Sequence, residues 1–435
     1  MEVATTANFY CSRRQASPSR SAPGPHPGRS RLTYDRALRT PVPYRSHLND
    51  PALRALPTHR IPRQQRHRPR RHAVPRLPHF RIFAAPSPDV ADAMIRSLES
   101  AYACFVEDLG WRSTGLSFRD AADAGPWTKV NVYNVGTGLG AAANTGTDEG
   151  FGMSFINVEA AYLTTPSVTV HEYGHCLTYA AGAWIEQWNT GAWWESVANF
   201  VADLWLTSDL HWRLVPGHRR RYPNTGNYYQ AWPFLYYIYA NPDEFPGLGR
   251  ATFPGVWTQY EPNSQVTPLH VIQKLAGTTR VQDVVAKYWA RMAFLDIAHP
   301  KAQALFERDR ARLNYQNLDP AGAAGTYRPK AARRPQYMGA NIIPLKGTGG
   351  GPVSAKITAS APFSATLAIR AADKKTVQYV ELVDGAAEAT VDAGSEAMLV
   401  VVNTPAEILN FDPFKLTDVE RQALDYTLTL TGATA

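Results

Sequence analysis

Two histidines four positions apart constrain the fold of this chain more than any other feature of its sequence. The segment VTVHEYGHCLTY contains His171, Glu172 and His175. On a helix, positions four apart differ by about 40° around the axis, so both imidazoles would project from the same side. Two imidazoles on one face of a helix can bind one zinc ion. The segment therefore predicts a helix that supplies part of a metal site.

The residues before this segment favour a helix that begins at residue 166. Thr165 followed by Pro166 is typical of a capped helix start with proline in the first turn, and it predicts one helix over residues 166–181. In that helix Glu172 lies beside the first histidine but is rotated to one side, where a carboxylate can contact zinc-activated water without binding the metal. This is the position that a general base needs.

The third ligand has to come from elsewhere in the chain, because a catalytic zinc ion takes three protein ligands and keeps one open position. The spacing His-Glu-x-x-His-x-x-Gly-x-x-His would supply a third histidine, but Thr178 and Ala181 occupy its last two fixed positions. That version of the site is excluded. A second predicted helix offers Glu195, which follows His175 by 20 residues. The expected ligand set is the two histidines and this glutamate.

Two polar residues continue the Glu195 face of the second helix. Asn199 and Asp203 follow at the fourth and eighth positions after it, so they lie on the same side. Either side chain could accept the outer N–H of a ligand histidine and fix its tautomer. The sequence leaves the choice between them open.

The pattern HEYGH followed by WWESVANF resembles the gluzincin zinc metallopeptidases. From about His79 to the C-terminus, the chain is similar to secreted gluzincin-type virulence proteins of plant-associated bacteria and fungi, related to Svx and AvrXca. The resemblance implies that His171, His175 and Glu195 bind zinc. It also implies that Glu172 is the general base and that the protein is secreted.

Two functions follow as hypotheses. The first is a zinc-dependent peptidase that hydrolyses protein or peptide substrates, which could be glycoproteins or associated with a cell wall. The alternative is a secreted protein that binds a glycan or cell-wall component through its C-terminal domain and has a vestigial or structural zinc site.

A peptidase also needs a group that stabilises the oxyanion, usually a tyrosine or histidine from the following lobe. Tyr228 is the preferred candidate. Because sequence fixes such a role poorly, three other candidates stay open: Tyr229, His218 and His270.

The formal net charge of +8 belongs to the N-terminal segment. Residues 1–78 contain 16 arginines, no lysine and three acidic residues, and the remaining 357 residues contain 29 basic and 34 acidic side chains. This mildly acidic body argues against a nucleic-acid function. The segment also holds 12 prolines without hydrophobic periodicity, which predicts a disordered tail. It is either a basic or targeting arm or the product of a mis-set gene start, and no signal peptide or membrane span is expected.

The remaining sequence predicts an α+β protein with a boundary near residue 334. Residues 79–334 are expected to form a gluzincin-like catalytic domain, with a small N-terminal sheet and helices followed by an α-rich lobe. Residues 335–435 contain short alternating strands at regular spacing, which is typical of a β-sandwich. Within the first domain, strands are predicted at 79–84 and 128–136, an extended segment at 153–163, and helices after Ser87 and at 166–181 and 191–207.

Three local features near the histidine helix complete the sequence analysis. The strand that begins MSFIN could lie at a sheet edge and bind an extended peptide, or lie inside the core. The glycine-rich segment GTGLGAAANTGTDEGFG is expected to be a flexible loop, because its glycines lack the spacing of a phosphate-binding loop. Cys104 and Cys176 could form a disulfide or remain as buried thiols.

Overall fold

A computed structural model describes residues 79–208 and 231–435. Within these ranges the protein is an α+β protein that contains one mixed sheet and two antiparallel sheets. The predicted disordered tail lies outside the described residues. None of the helices in the described ranges combines the length and the apolar character needed to cross a membrane.

The first sheet has four strands in the order β1-β2-β4-β3. Strands β1 (Phe80–Phe83), β2 (Val130–Asn134) and β4 (Met153–Val158) are parallel to one another. Strand β3 (Ala143–Asp148) pairs antiparallel with β4 and forms the edge of the sheet. The MSFIN segment is therefore an internal strand, and the edge beside the histidine helix belongs to β3.

Strand β3 corrects the prediction of a flexible loop after β2. Its sequence, ANTGTD, has no apolar alternation, so its extended conformation depends on the hydrogen-bonded ladder with β4 and not on burial. Within it, a Cβ atom on Gly146 would overlap the ring of Phe155 on the neighbouring strand. Glycine at this position lets the aromatic ring lie across β3.

The predicted first strand and first helix are confirmed. Helix α1 (Pro88–Tyr102) follows Ser87, whose hydroxyl accepts a hydrogen bond from the Val90 N–H at 3.3 Å. A π-helical segment, Ala103–Asp108, continues the helix. The buried side chains of α1, among them Met94 and Leu98, belong to the same apolar cluster as β1 and β2.

The next two helices match their predicted ranges closely. Helix α2 (Pro166–Ala180) contains both histidines, and helix α3 (Gly191–Thr207) contains Glu195. Thr165 precedes α2 as expected, but its side chain makes no capping hydrogen bond. The start of α2 is instead favoured by proline at its first position, where no backbone donor is needed.

Helices α2 and α3 pack closely at Gly174, the residue just before His175. A Cβ atom on Gly174 would lie 2.8 Å from the Ala198 Cα atom and 3.1 Å from the Val201 Cβ atom. Real Cβ atoms do not approach a backbone carbon to 2.8 Å, so only glycine permits this distance between the helices. Ala198 and Val201 are completely buried in the contact.

Between α3 and residue 318, the described residues are mostly helical. One polar contact there is well defined: the Arg291 guanidinium donates to Asp243 at 2.7 and 2.8 Å, and the Tyr237 hydroxyl donates to the same carboxylate at 2.6 Å. The helices are α4 (Trp232–Ala240), α5 (Gly255–Thr258), α6 (Pro268–Leu275), α7 (Val281–Met292) and α8 (Pro300–Asp309).

Two antiparallel sheets form the C-terminal part. One has the order β10-β9-β12-β7 and the other the order β11-β8-β13-β6-β5. Strands β5 and β6 precede residue 334 but pair into the second sheet. The strands are β5 (Leu318–Pro320), β6 (Thr326–Pro329), β7 (Ala340–Leu345), β8 (Gly351–Ala359), β9 (Phe363–Arg370), β10 (Val377–Glu381), β11 (Ala386–Val391), β12 (Glu396–Asn403) and β13 (Tyr426–Thr431).

The four-stranded C-terminal sheet has apolar residues on both faces. One face shares a cluster with the five-stranded sheet, in which Leu367 and Leu428 are completely buried. Residues of the other face, such as Ala368 and Val400, belong to the same cluster as Tyr288 on α7. The apolar interior is therefore continuous from the helices into the C-terminal sheets.

We expect Gly174→Ala to lower the free energy of unfolding by about 1–2 kcal/mol. The added methyl group meets a backbone atom of α3, so we expect the upper part of the range of about 1–3 kcal/mol that overpacking costs, about 2–3 kcal/mol. The better helix propensity of alanine returns about 1 kcal/mol. Denaturant unfolding of the full chain measures the change. Gly351→Ala is the matched control, because a Cβ atom there meets nothing within 4 Å. Equal stability of the Gly174→Ala variant and the parent would contradict the close packing.

Candidate metal centre

Three potential metal ligands come together between α2 and α3. His171 Nε2 lies 2.9 Å from Glu195 Oε2, and His175 Nε2 lies 3.6 Å from Glu195 Oε1. Ligand atoms of all three side chains lie within 4.8 Å of one another, and among the described residues no other group of histidine, cysteine or carboxylate side chains meets this condition. The structure thus brings together the three residues predicted as ligands.

These distances fit a shared metal ion. Two nitrogen or oxygen donors that each lie about 2.1 Å from a tetrahedral zinc ion are separated by about 3.4 Å, and the observed distances of 2.9 and 3.6 Å lie on either side of that value. The imidazole rings of His171 and His175 are 5.0 Å apart and nearly perpendicular. They can therefore direct one nitrogen each to a common point.

The hydrogen bonding of His171 directs one of its ring nitrogens to Glu195. Its Nδ1 atom lies 2.9 Å from Asn199 Oδ1. Since a carboxamide oxygen only accepts, Nδ1 carries a hydrogen, and Nε2 is the ring nitrogen that faces Glu195. Glu195 Oε2 is buried, and His171 Nε2 lies 2.9 Å from it. Nε2 of the neutral ring and Oε2 of the carboxylate are the two atoms that could bind a metal ion between them.

The charges at the centre attract a cation. Burial alone would raise the pKa of Glu195, but the contacts with His171 and His175 outweigh it and hold the pKa well below its usual range. Burial alone would lower the pKa of His171, but Glu195, Glu172 and Asn199 together raise it. Both shifts have one cause: the negative charge of Glu195 and positive charge at the position that faces it stabilise each other.

The two residues predicted to follow Glu195 on α3 have different partners. Asn199 contacts His171, as described above. Asp203 Oδ2 instead lies 2.8 Å from Nε2 of His299, and both side chains are buried. Four residues of helix extend about 6 Å, so Asp203 lies one further turn along α3 and does not contact the histidines of the metal centre. Of the two residues, Asn199 is the one placed to fix the tautomer of His171.

Glu172 lies beside the three ligands with its carboxylate held by strand β3. Its side chain is buried, with only 6% exposed, and the Thr145 hydroxyl lies 2.8 Å from Oε2. The thiol of Cys176 is also close to Thr145, and burial raises its pKa, so it remains neutral and adds no charge. Cys104 and Cys176 are both buried free thiols, so the predicted alternative of a disulfide does not apply.

The candidates for oxyanion stabilisation are not assembled in the described residues. Tyr228, the preferred candidate, lies outside those residues, as do Tyr229 and His218. His270 is at the start of α6, where its Nδ1 atom accepts a hydrogen bond from the Thr267 N–H at 3.0 Å. Its ring therefore stabilises a helix start.

Sequence reasoning missed two residues of the centre. Gly174 allows α2 and α3 to approach, and a glycine inside a predicted buried helix was the signal available for it. Thr145 contacts Glu172 from a segment that was predicted to be a loop, and no sequence signal identified it.

Comparison with known proteins identifies a family but assigns it no activity. Residues 86–434 match a family described as "Family of unknown function (DUF6055)". The match includes the metal centre and the C-terminal sheets. No curated protein matches the chain.

The full-length protein is expected to bind one zinc ion, and His171→Ala or Glu195→Ala is expected to abolish binding. Asn199→Ala should keep the three ligands but weaken zinc affinity about 10–100-fold, because the His171 ring loses the group that orients it. Competition with a chromophoric chelator measures the affinity.

The matched control is Asp203→Asn, which removes a charge from the same helix one turn away and is expected to leave zinc affinity unchanged. Unchanged affinity in both Asn199→Ala and Glu195→Ala would contradict the assignment of the centre.

Proposed function

The chain belongs to DUF6055, a family of unknown function, and we propose that it is a zinc-dependent peptidase in which Glu172 is the general base. The observation that supports this proposal is the convergence of His171, His175 and Glu195 beside a buried carboxylate held by a neighbouring strand. The order of these residues along the chain agrees with the gluzincin metallopeptidases, which the sequence resembles. We therefore propose a gluzincin-type site.

The side chains of the site would divide the chemistry among them. When bound, zinc supplies a Lewis acid that polarises a carbonyl group and makes water more acidic. Glu172 accepts a proton from the attacking water and donates it to the leaving amine, so it ends the cycle unprotonated. Asn199 keeps the His171 ring in one tautomer. Tyr228 is retained as the proposed group for the oxyanion.

The substrate class we propose is an extended polypeptide. Strand β3 is the edge of its sheet in the described structure, and Thr145 on this strand contacts Glu172 directly. A peptide that adds to β3 through backbone hydrogen bonds would lie beside the general base. We therefore propose recognition at β3, whereas the sequence alone directed attention to the MSFIN strand.

The two C-terminal sheets support the finer description of the fold. Because they share one apolar cluster, we interpret residues 335–435 as a β-sandwich domain attached to a gluzincin-like catalytic domain, residues 79–334. Strands β5 and β6 belong to the second of these ranges but pair into the sandwich. The resemblance to secreted proteins leads us to propose that the peptidase acts outside the cell. N-terminal sequencing of the natural protein from culture fluid tests that location.

Glu172→Gln is expected to reduce the cleavage rate of unfolded protein substrates by about 10²–10⁴-fold, because an amide cannot accept the proton of water. Zinc content should remain that of the parent, since Glu172 is not one of the ligands. Glu149→Gln is the matched control, because it makes the same change on the exposed residue that follows β3. Full activity in zinc-loaded Glu172→Gln would refute the proposed mechanism.

One surface feature favours a second function, glycan binding. Trp188 and Phe414 are 62% and 60% exposed, although large aromatic side chains are rarely left in water. Their rings are 5.8 Å apart, and Trp194 lies 6.0 Å from Phe414. Exposed aromatic rings can pack against the apolar faces of sugars. This cluster, Trp188, Trp194 and Phe414, offers a site that is independent of zinc.

Replacing Trp188 and Phe414 together by alanine tests this second function. If the aromatic cluster binds a glycan, the full-length parent should sediment with an insoluble cell-wall polysaccharide and the double variant should remain in solution. Val383→Ala is the control, because it removes an exposed apolar side chain elsewhere on the surface. Equal sedimentation of the parent and the double variant would exclude the aromatic cluster as the binding site.

A further inference from the structure

The Thr145 hydroxyl has two hydrogen-bond acceptors on one residue. Its Oγ1 atom lies 2.8 Å from Glu172 Oε2 and 2.9 Å from the Glu172 carbonyl oxygen. A hydroxyl carries a single hydrogen and can donate to only one acceptor at a time. Rotation about the C–O bond is enough to exchange the two, because both acceptors are already within hydrogen-bond distance.

The backbone around Thr145 holds this hydroxyl in place. Thr145 lies opposite Ile156 in the ladder between β3 and β4, and a β-branched side chain has few rotamers. The next residue, Gly146, lies against the ring of Phe155. The carbonyl acceptor belongs to helix α2. The hydroxyl thus connects an ordered strand to the helix that holds the zinc ligands.

We propose that Thr145 is a positioning residue that keeps the Glu172 carboxylate in place throughout proton transfer. The inference rests on the proposed role of Glu172 as general base. While Glu172 is a carboxylate, the hydroxyl donates to Oε2 and leaves Oε1 for water. When Glu172 holds the proton taken from water, that proton lies on Oε1, and the hydroxyl continues to donate to Oε2. Thr145 exchanges no proton with the substrate.

A positioning role and a purely structural role predict different effects of losing the Thr145 hydroxyl on kcat, KM and zinc content. Loss of the hydroxyl removes the hydrogen bond to Oε2 but removes no zinc ligand, so the expected effect is on kcat. KM and zinc content are expected to stay at the parent values, because β3 keeps its backbone donors and acceptors. Serine at this position keeps the hydroxyl and should restore most of the rate.

The same strand offers a matched control. Thr147 lies two positions along β3, and its hydroxyl donates to Glu149 Oε1 at 2.9 Å on the surface of the protein. Thr147→Val makes the same change in shape and polarity on the same edge strand, but it leaves Glu172 untouched. It separates the loss of one specific hydrogen bond from any general effect of valine on the strand.

The experiment compares Thr145→Val, Thr145→Ser and Thr147→Val with the parent, all as full-length zinc-loaded protein. A quenched fluorescent peptide that the parent cleaves gives kcat and KM, and zinc content and unfolding temperature are measured on the same samples. Thr145→Val is expected to lower kcat by about 10–100-fold, a part of what a general base contributes, with KM and zinc content unchanged. Thr145→Ser should stay close to the parent. Thr147→Val should keep the parent kcat, and a change in its KM alone would reflect its place on the proposed recognition strand.

Each other outcome has a defined meaning. Parent-like kcat in folded Thr145→Val, or a change in KM alone, overturns the role of Thr145 and leaves the proposed function intact. A zinc-loaded parent that cleaves no peptide overturns the proposed function itself, and the inference with it. If Thr145→Val does not fold, Thr145→Ala also removes the hydroxyl and provides the same comparison.

Discussion

The packing of Gly174 against Ala198 brings together the two helices that carry the candidate metal ligands. A Cβ atom on Gly174 would lie 2.8 Å from the Ala198 Cα atom, so helices α2 and α3 are as close as two backbones can be at this point. His175 follows Gly174 directly, and Glu195 lies about one turn before Ala198. The 2.9 and 3.6 Å separations between imidazole and carboxylate atoms depend on that closeness. A carboxylate does not span a larger gap between two helices.

The candidate site could be predicted from sequence where both partners lie on regular helices. Spacing along α2 and α3 identified His171, His175 and Glu195, because the helical repeat fixes the direction of each side chain. The same rule left the choice between Asn199 and Asp203 open. It fixes the face of α3 on which a side chain lies, but not which turn of α3 lies level with the histidines. The partner of Asp203 is His299, which is 96 residues away along the chain. No local sequence pattern predicts such a contact.

Strand β3 marks the limit of prediction for the fold. Helices α1, α2 and α3 and strands β1 and β2 have apolar periodicity or start signals, so their existence followed from sequence. Strand β3 has neither, and its conformation comes from pairing with β4. Thr145 was missed for the same reason: its importance depends on the sheet edge, which local sequence does not specify. The boundary predicted near residue 334 stays a prediction, although the apolar interior continues across it.

Phe414 connects the C-terminal part to the start of α3, the helix that contains Glu195. Its ring lies so close to Gly191, the first residue of α3, that a Cβ atom there would overlap it. Arg370, only 2% exposed, adds ion pairs at 2.6 Å to Glu307 and 2.9 Å to Glu396. A fragment that ended near residue 334 would therefore lose the support of the helix that holds Glu195. We therefore expect related chains to contain both parts together, in agreement with a family match that covers residues 86–434.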